Sequence, residues 1–90
     1  MDKTIITVVG KDAVGIIAKV CNYLADNSIN INDITQTTMQ GYFNMMMLVD
    51  TSKSLKKHEE MADELRSLGE EIGVQIKAQK EEIFQMMHRI

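Results

Sequence analysis

Residues 4 to 9, Thr-Ile-Ile-Thr-Val-Val, form a β-branched run. Such side chains restrict their own rotamers and favour extended backbone. A run with so little polar interruption reads as a central strand covered on both faces, ending where Gly10 permits a turn. In a chain of 90 residues that strand has to sit at the middle of one small domain, which size scaling leaves in need of further buried surface from a partner.

The residues after Gly10 change period. Asp12 stands where a helix N-cap belongs, and Val14, Ile17, Cys21 and Leu24 follow at helical spacing, with Ile16 and Val20 widening the stripe. This helix is expected to run to about Asn27. The next stretch, ININDITQTTMQGYFNMMMLVD, reads as two strands folded back at Gln40 and Gly41. Phe43, Met45, Met47 and Val49 alternate there with Tyr42, Asn44, Met46 and Leu48. Ile34 is out of phase with Ile29 and Ile31, so a bulge is expected near Asn32 and Asp33.

Ser52 or Ser54 can cap a second helix. Leu55, Met61, Ala62, Leu65, Leu68 and Ile72 would face inward, while Glu59, Glu60, Asp63, Glu64 and Arg66 face water, with Gly73 as the stop. VQIKAQK then alternates as a strand with one solvated face, and Ile83, Phe84, Met87 and Ile90 fit one side of a short terminal helix. The order strand, helix, strand, strand, helix, strand is that of the α+β, ferredoxin-like βαββαβ fold. It implies a four-stranded antiparallel sheet with two helices on one face, plus a short C-terminal helix. Residues 1–80 make the domain and 81–90 a helical tail.

Charge and composition narrow the function. Thirteen acidic and ten basic residues in mixed order, net charge −3, supply neither a basic field for nucleic acid nor a cationic face for a membrane. The apolar run before Gly10 is too short for a signal-peptide core or a membrane span. Cys21 alone makes no internal disulfide and reads as a buried reduced thiol, which points to the cytoplasm.

Enzyme motifs are approached but not completed. Gly10 and Gly15 have the spacing of a phosphate-cradling loop, yet Ile16 and Ile17 follow where that loop needs Lys and then Ser or Thr. HEEMA, residues 58 to 62, places Ala62 where a zinc protease needs its second histidine, so His58 reads as a solvated helix residue and His88 as a tail residue. With aromatics at 4% and none in the first strand, base stacking has little to work with. No nucleophile with a base, no metal set and no cofactor motif is present, so the chain is expected not to be an enzyme. Eight methionines suit core packing, and Met46 or the tail could also seal a dimer.

The two glycines fit two arrangements. In one they let a ligand approach the backbone while the free N–H groups at the helix start attract a carboxylate. In the other Gly10 makes the turn, Asp12 caps the helix, Gly15 packs on the sheet and no ligand is held.

VVGKDAVGIIAKVCNYLADNSININDITQT resembles the opening half of an ACT domain, the small regulatory module that binds amino acids and related metabolites. The matching features are the strand ending at Gly10, Asp12 followed three residues later by Gly15, then Ile16, Ile17 and Ala18, and SININDI leading into the second strand. The remaining half matches in element order, so the resemblance covers about residues 3 to 80. It extends to the stand-alone prokaryotic ACT-domain proteins and, more distantly, to the ACT modules of the glycine-cleavage repressor and formyltetrahydrofolate deformylase. One departure is Val14, where many members carry proline.

The resemblance implies a homodimer or higher homo-oligomer with effector sites near the subunit boundary. The loop of one subunit meets the second strand of another. By position this selects Gly10, Lys11, Asp12, Ala13, Val14, Gly15 and Ile16 on one side, and Asn30, Ile31 and Asn32 on the other. Amides around residues 14 to 16 would take the carboxylate of an amino acid or similar small molecule, and Asn30 or Asp12 would accept from its ammonium group, with the helix cap as the alternative role of Asp12. A structural or protein-interaction module, acting through its dimer surface and the IFQMMHRI tail, is the alternative.

Overall fold

A computed structural model describes residues 2–11 and 15–87. The elements are β1 (Lys3–Lys11), α1 (Ile16–Asp26), β2 (Asn30–Met39), β3 (Tyr42–Asp50), α2 (His58–Ile72), β4 (Val74–Lys80) and α3 (Glu81–Met87). All strand pairs are antiparallel, in the order β2-β3-β1-β4. This is the ferredoxin-like arrangement with a short helix added after β4.

β1 is central, as its composition predicts, but only one of its faces is covered. Thr4, Ile6 and Val8 are buried under the helices, whereas Ile5 and Thr7 are half-buried and Val9 is exposed. Among the described residues no helix covers the other face of the sheet, so the β-branched run reflects strand preference more than two-sided burial. Nor does β1 end at Gly10. It continues to Lys11, with Gly10 paired to Phe43 on one side and Val74 on the other. A methyl group at Gly10 would overlap Val74 Cγ1, so glycine here serves close approach of β1 and β4 rather than a turn.

The core joins Ile6 and Val8 to Phe43, Met45, Met47 and Val49 of β3, and to Ile16, Val20 and Leu24 of α1. Met61 and Leu65 of α2, Val74 and Ile76 of β4, and Ile29 just before β2 complete it. The α1 stripe is therefore centred on Ile16, Val20 and Leu24. Ile17 and Cys21 lie at its margin, and the thiol is half-buried rather than enclosed. The N-cap position of α1 is Gly15, not Asp12; Asp12, Ala13 and Val14 lie outside the described residues. At its other end the N–H groups of Ser28 and Ile29 donate to the carbonyls of Ala25 and Leu24, a Schellman closure with Ser28 in the left-handed region.

Gln40 and Gly41, both at positive φ, close the β2–β3 hairpin between the paired residues Met39 and Tyr42. The bulge falls where Ile34 slips phase, between Ile31 and Asp33. α2 starts later than expected, with Lys57 as N-cap. Residues 51–56 are held otherwise: Thr51 N–H donates to Asp2 O, Leu55 N–H to Asn27 O, and the Ser54 hydroxyl to Lys56 O. Ser54 is thus spent inside the connection, and Leu55, expected inward, is 70% exposed.

Gly73 ends α2 as expected, and Val74, Ile76 and Ala78 face the helices. In α3, Phe84 is half-buried and Ile83 exposed; Ile90 and His88 lie outside the described residues. The methionines divide: Met45, Met47 and Met61 are core, while Met39, Met46 and Met86 are exposed.

Gly10→Ala is expected to destabilise the fold by about 1–3 kcal/mol through overpacking. Val74→Ala in the same chain should recover part of that loss, as measured by urea unfolding of the single and double variants. A neutral Gly10→Ala would refute the close approach.

Candidate functional site

The residues selected from the sequence fall into two groups at opposite ends of the sheet. Gly10 and Lys11 end β1 beside Phe43 and Tyr42, the end of β3 next to the hairpin. Asn30 and Ile31 begin β2, paired with Asp50 and Val49 at the far end of β3, and Asp50 in turn pairs with Lys3. From Lys3 to Gly10 the strand rises roughly 23 Å at about 3.3 Å per residue. No single copy of the chain closes that gap.

At the loop end, Gly15 sits at φ 79° as the N-cap of α1. Glycine adopts this conformation without strain, and among the described residues no side chain caps the first turn of α1. Ile16 is buried, and only its backbone is available to a ligand. The Lys11 ammonium lies 5.5 Å from the centre of the Tyr42 ring. Against this end lies a shallow apolar hollow of about 360 Å³ formed by Val9, Gly10, Tyr42, Val74 and their neighbours.

At the β2 end the bulge leaves Asn32 out of the ladder, and its side-chain oxygen accepts a hydrogen bond from Lys3 Nζ at 2.9 Å. Lys3 also lies 3.6 Å from Asp50, whose carboxyl is held below the usual range chiefly by the Ser52 backbone N–H. Asn32 is therefore spent inside the chain, while Asn30 is exposed. The Lys3 contact spans 29 residues and has no local signal in the sequence.

Two residues read as plainly solvated are not. Glu64 accepts from the Tyr23 hydroxyl at 2.6 Å and from Lys56 Nζ at 2.9 Å, tying α1 and the 51–57 connection to α2. These bonds hold its carboxyl below the usual range, while burial first and then the bond to Glu64 raise the Tyr23 phenol. His58 is half-buried at the first turn of α2, and burial, then the Lys80 charge, push its pKa below the ordinary 6.5, against a weaker pull from Glu59. Among the described residues no group of three or more His, Cys, Asp and Glu is placed to hold a metal ion. No helix among them is long and apolar enough to cross a membrane.

The sheet is open on one face, with a glycine N-cap at the start of α1 toward one end and a bulged edge strand starting at the other. The family model described as ACT domain matches residues 3–79. The chain is 56% identical over 90 residues to a UPF0237 protein of Bifidobacterium longum, each covered completely. An ACT domain protein from Streptococcus pneumoniae superposes with a TM-score of 0.81 at 40% identity, over 92% of this chain and 93% of that one. A formyltetrahydrofolate deformylase from Pseudomonas syringae shares the fold, with a TM-score of 0.78 at 20% identity over 86% of this chain and 26% of the enzyme. The chain belongs to the ACT domain family, whose members are regulatory domains that bind small molecules.

Because the native state disfavours the charged imidazole, His58 contributes stability that is present above the ordinary pKa and lost as pH falls through the depressed one. Imidazole proton shifts followed against pH should show His58 titrating below 6.5, and Lys80→Gln should move it upward. An unmoved midpoint would remove Lys80 from the explanation.

Proposed function

We propose that the chain is a non-catalytic regulatory domain that senses an amino acid or similar small carboxylate at the boundary between two copies of itself. The observation that carries this reading is the separation of the two halves of the site along one sheet. β2 is an edge strand exposed along its whole length, the kind of edge that pairs with another strand. Two copies joined along β2 by a two-fold axis run antiparallel. Asn30 of one copy then approaches the hairpin end of the other, where Gly10 and Gly15 stand.

In that arrangement the amides at the start of α1 receive the ligand carboxylate, and the exposed Asn30 accepts from its ammonium group. Lys11 and Asp12 to Val14 flank the ligand, and Ile31 and Asn32 shape the strand that carries Asn30. No cofactor enters, and the domain (residues 1–80) works in the cytoplasm, passing its signal to another chain.

A second reading, a protein-interaction module without ligand, draws on a different observation. Tyr42, Met46 and Val9 expose apolar surface on the open face, and Ile83 and Met86 do so on α3.

Thermal unfolding against amino acids and small carboxylates separates the two. At about one hundred times its dissociation constant a ligand adds roughly 2.7 kcal/mol, on the order of ten degrees or more in a domain of this size. The expected result is a saturable shift with one compound, lost in Asn30→Ala, from a protein that sediments as a dimer. A flat panel from a folded dimer, with partner binding lost on truncation after Lys80, would favour the interaction module. A ligand shift from a strict monomer would refute the shared site.

A further inference from the structure

Away from the β2 edge, on the helix side of the sheet, the start of α2 closes over the ends of β1 and β4. A hollow of about 420 Å³ opens there, lined among others by Thr4, Thr51, Lys57, His58, Met61 and Lys80. A second hollow of about 560 Å³ lies beside it, and Lys57, His58 and Lys80 line both. The three nitrogen-bearing side chains thus form the ridge between two concavities, at the edge of the sheet farthest from Asn30.

In a protein of net charge −3, four lysines and a histidine line the first hollow against two carboxylates, Asp2 and Glu82. Lys3 and Lys56 are committed, to Asp50 and Glu64. Among the described residues, Lys57, His58 and Lys80 have neither a side-chain hydrogen bond nor an ion pair. Burial and, second to it, the Lys80 charge depress the His58 pKa, against a weaker pull from Glu59. Glu59 and Glu60 stand in the neighbouring hollow, and Glu60 instead takes the Lys57 backbone N–H at 3.2 Å.

The walls are braced independently of any occupant. Thr51 is bonded to Asp2 through both its N–H and its hydroxyl, Ser54 holds Lys56 at both backbone groups, and Lys80 is paired with Thr4 in the sheet. Lys57, His58 and Lys80 therefore line both hollows on a braced backbone.

We propose that this hollow is a second ligand site, separate from the one shared across β2, and that it takes the phosphate group of a small phosphorylated molecule through Lys57, His58 and Lys80. A phosphate group supplies three acceptor oxygens, enough to accept from all three donors at once, whereas one carboxylate has two. The concavity and the net negative chain confine the attraction to this spot, which suits a small soluble phosphoester rather than a nucleic acid or membrane surface.

The test is an amide NMR titration of the full chain with inorganic phosphate and with glycerol 2-phosphate, alongside acetate and chloride at matched ionic strength. Saturable shifts at Thr4, Lys57, His58 and Lys80 are expected with both phosphates and not with the controls. Lys57→Gln and Lys80→Gln should each weaken binding by roughly tenfold, the value of one charge-assisted hydrogen bond. Both lysines are exposed, and amide dispersion verifies that the variants stay folded. Asn30→Ala should leave this titration unchanged, so failure of the carboxylate site and failure of this one read out separately. Equal shifts with chloride or acetate, no saturation, or wild-type affinity in both lysine variants would overturn the proposal.

Discussion

The double pairing of β1 is the constraint on which the rest of the structure depends. Each residue from Thr4 to Gly10 is matched to β3 on one side and β4 on the other, so one strand sets the register of both neighbours. With period two along the chain, burying Ile6 and Val8 under the helices places Phe43, Met45, Met47 and Val49, and Val74 and Ile76, on the same face. A slip of one residue would turn all of these to the open side. Gly10 makes the pairing tight at the end where the strand leaves for α1, because Val74 occupies the space a side chain would need.

That same register separates the functional residues. An antiparallel sheet of this order sends β1 toward the hairpin and starts β2 at the far end, so a loop after β1 and the first residues of β2 cannot meet within one chain. In the proposed reading the distance is an asset: a site divided in this way reports on a ligand and on association together. The bulge contributes by turning Asn32 to Lys3 and leaving Asn30 exposed.

The connection from β3 to α2 shows tertiary bonding overriding local capping preference. Ser52 and Ser54 are good cap residues by type, yet Thr51 is pulled to the start of β1, Leu55 to the end of α1, and the Ser54 hydroxyl into its own turn. The helix accordingly begins at His58, with the Glu60 carboxylate returning to the Lys57 N–H. That displacement brings Lys57 and His58 beside Lys80, three residues that look like solvated surface in a linear reading.

Much of the architecture was legible in the chain itself, because strand and helix periods, the Gln40-Gly41 turn and the Gly73 stop are local signals. The phase slip at Ile34 foretold the bulge for the same reason, and the family resemblance rested on a contiguous stretch. What folding alone decided were properties of pairs distant in sequence. Gly10 serves Val74 rather than a turn, Asn32 is spent on Lys3, Glu64 is drawn to Tyr23 and Lys56, and only one face of β1 is covered. The sequence by itself determined which elements form and in what order, since backbone preference and side-chain period act over a few residues. Only the tertiary structure decided which side chains remain free to bind, since that depends on what other segments bring within hydrogen-bonding distance.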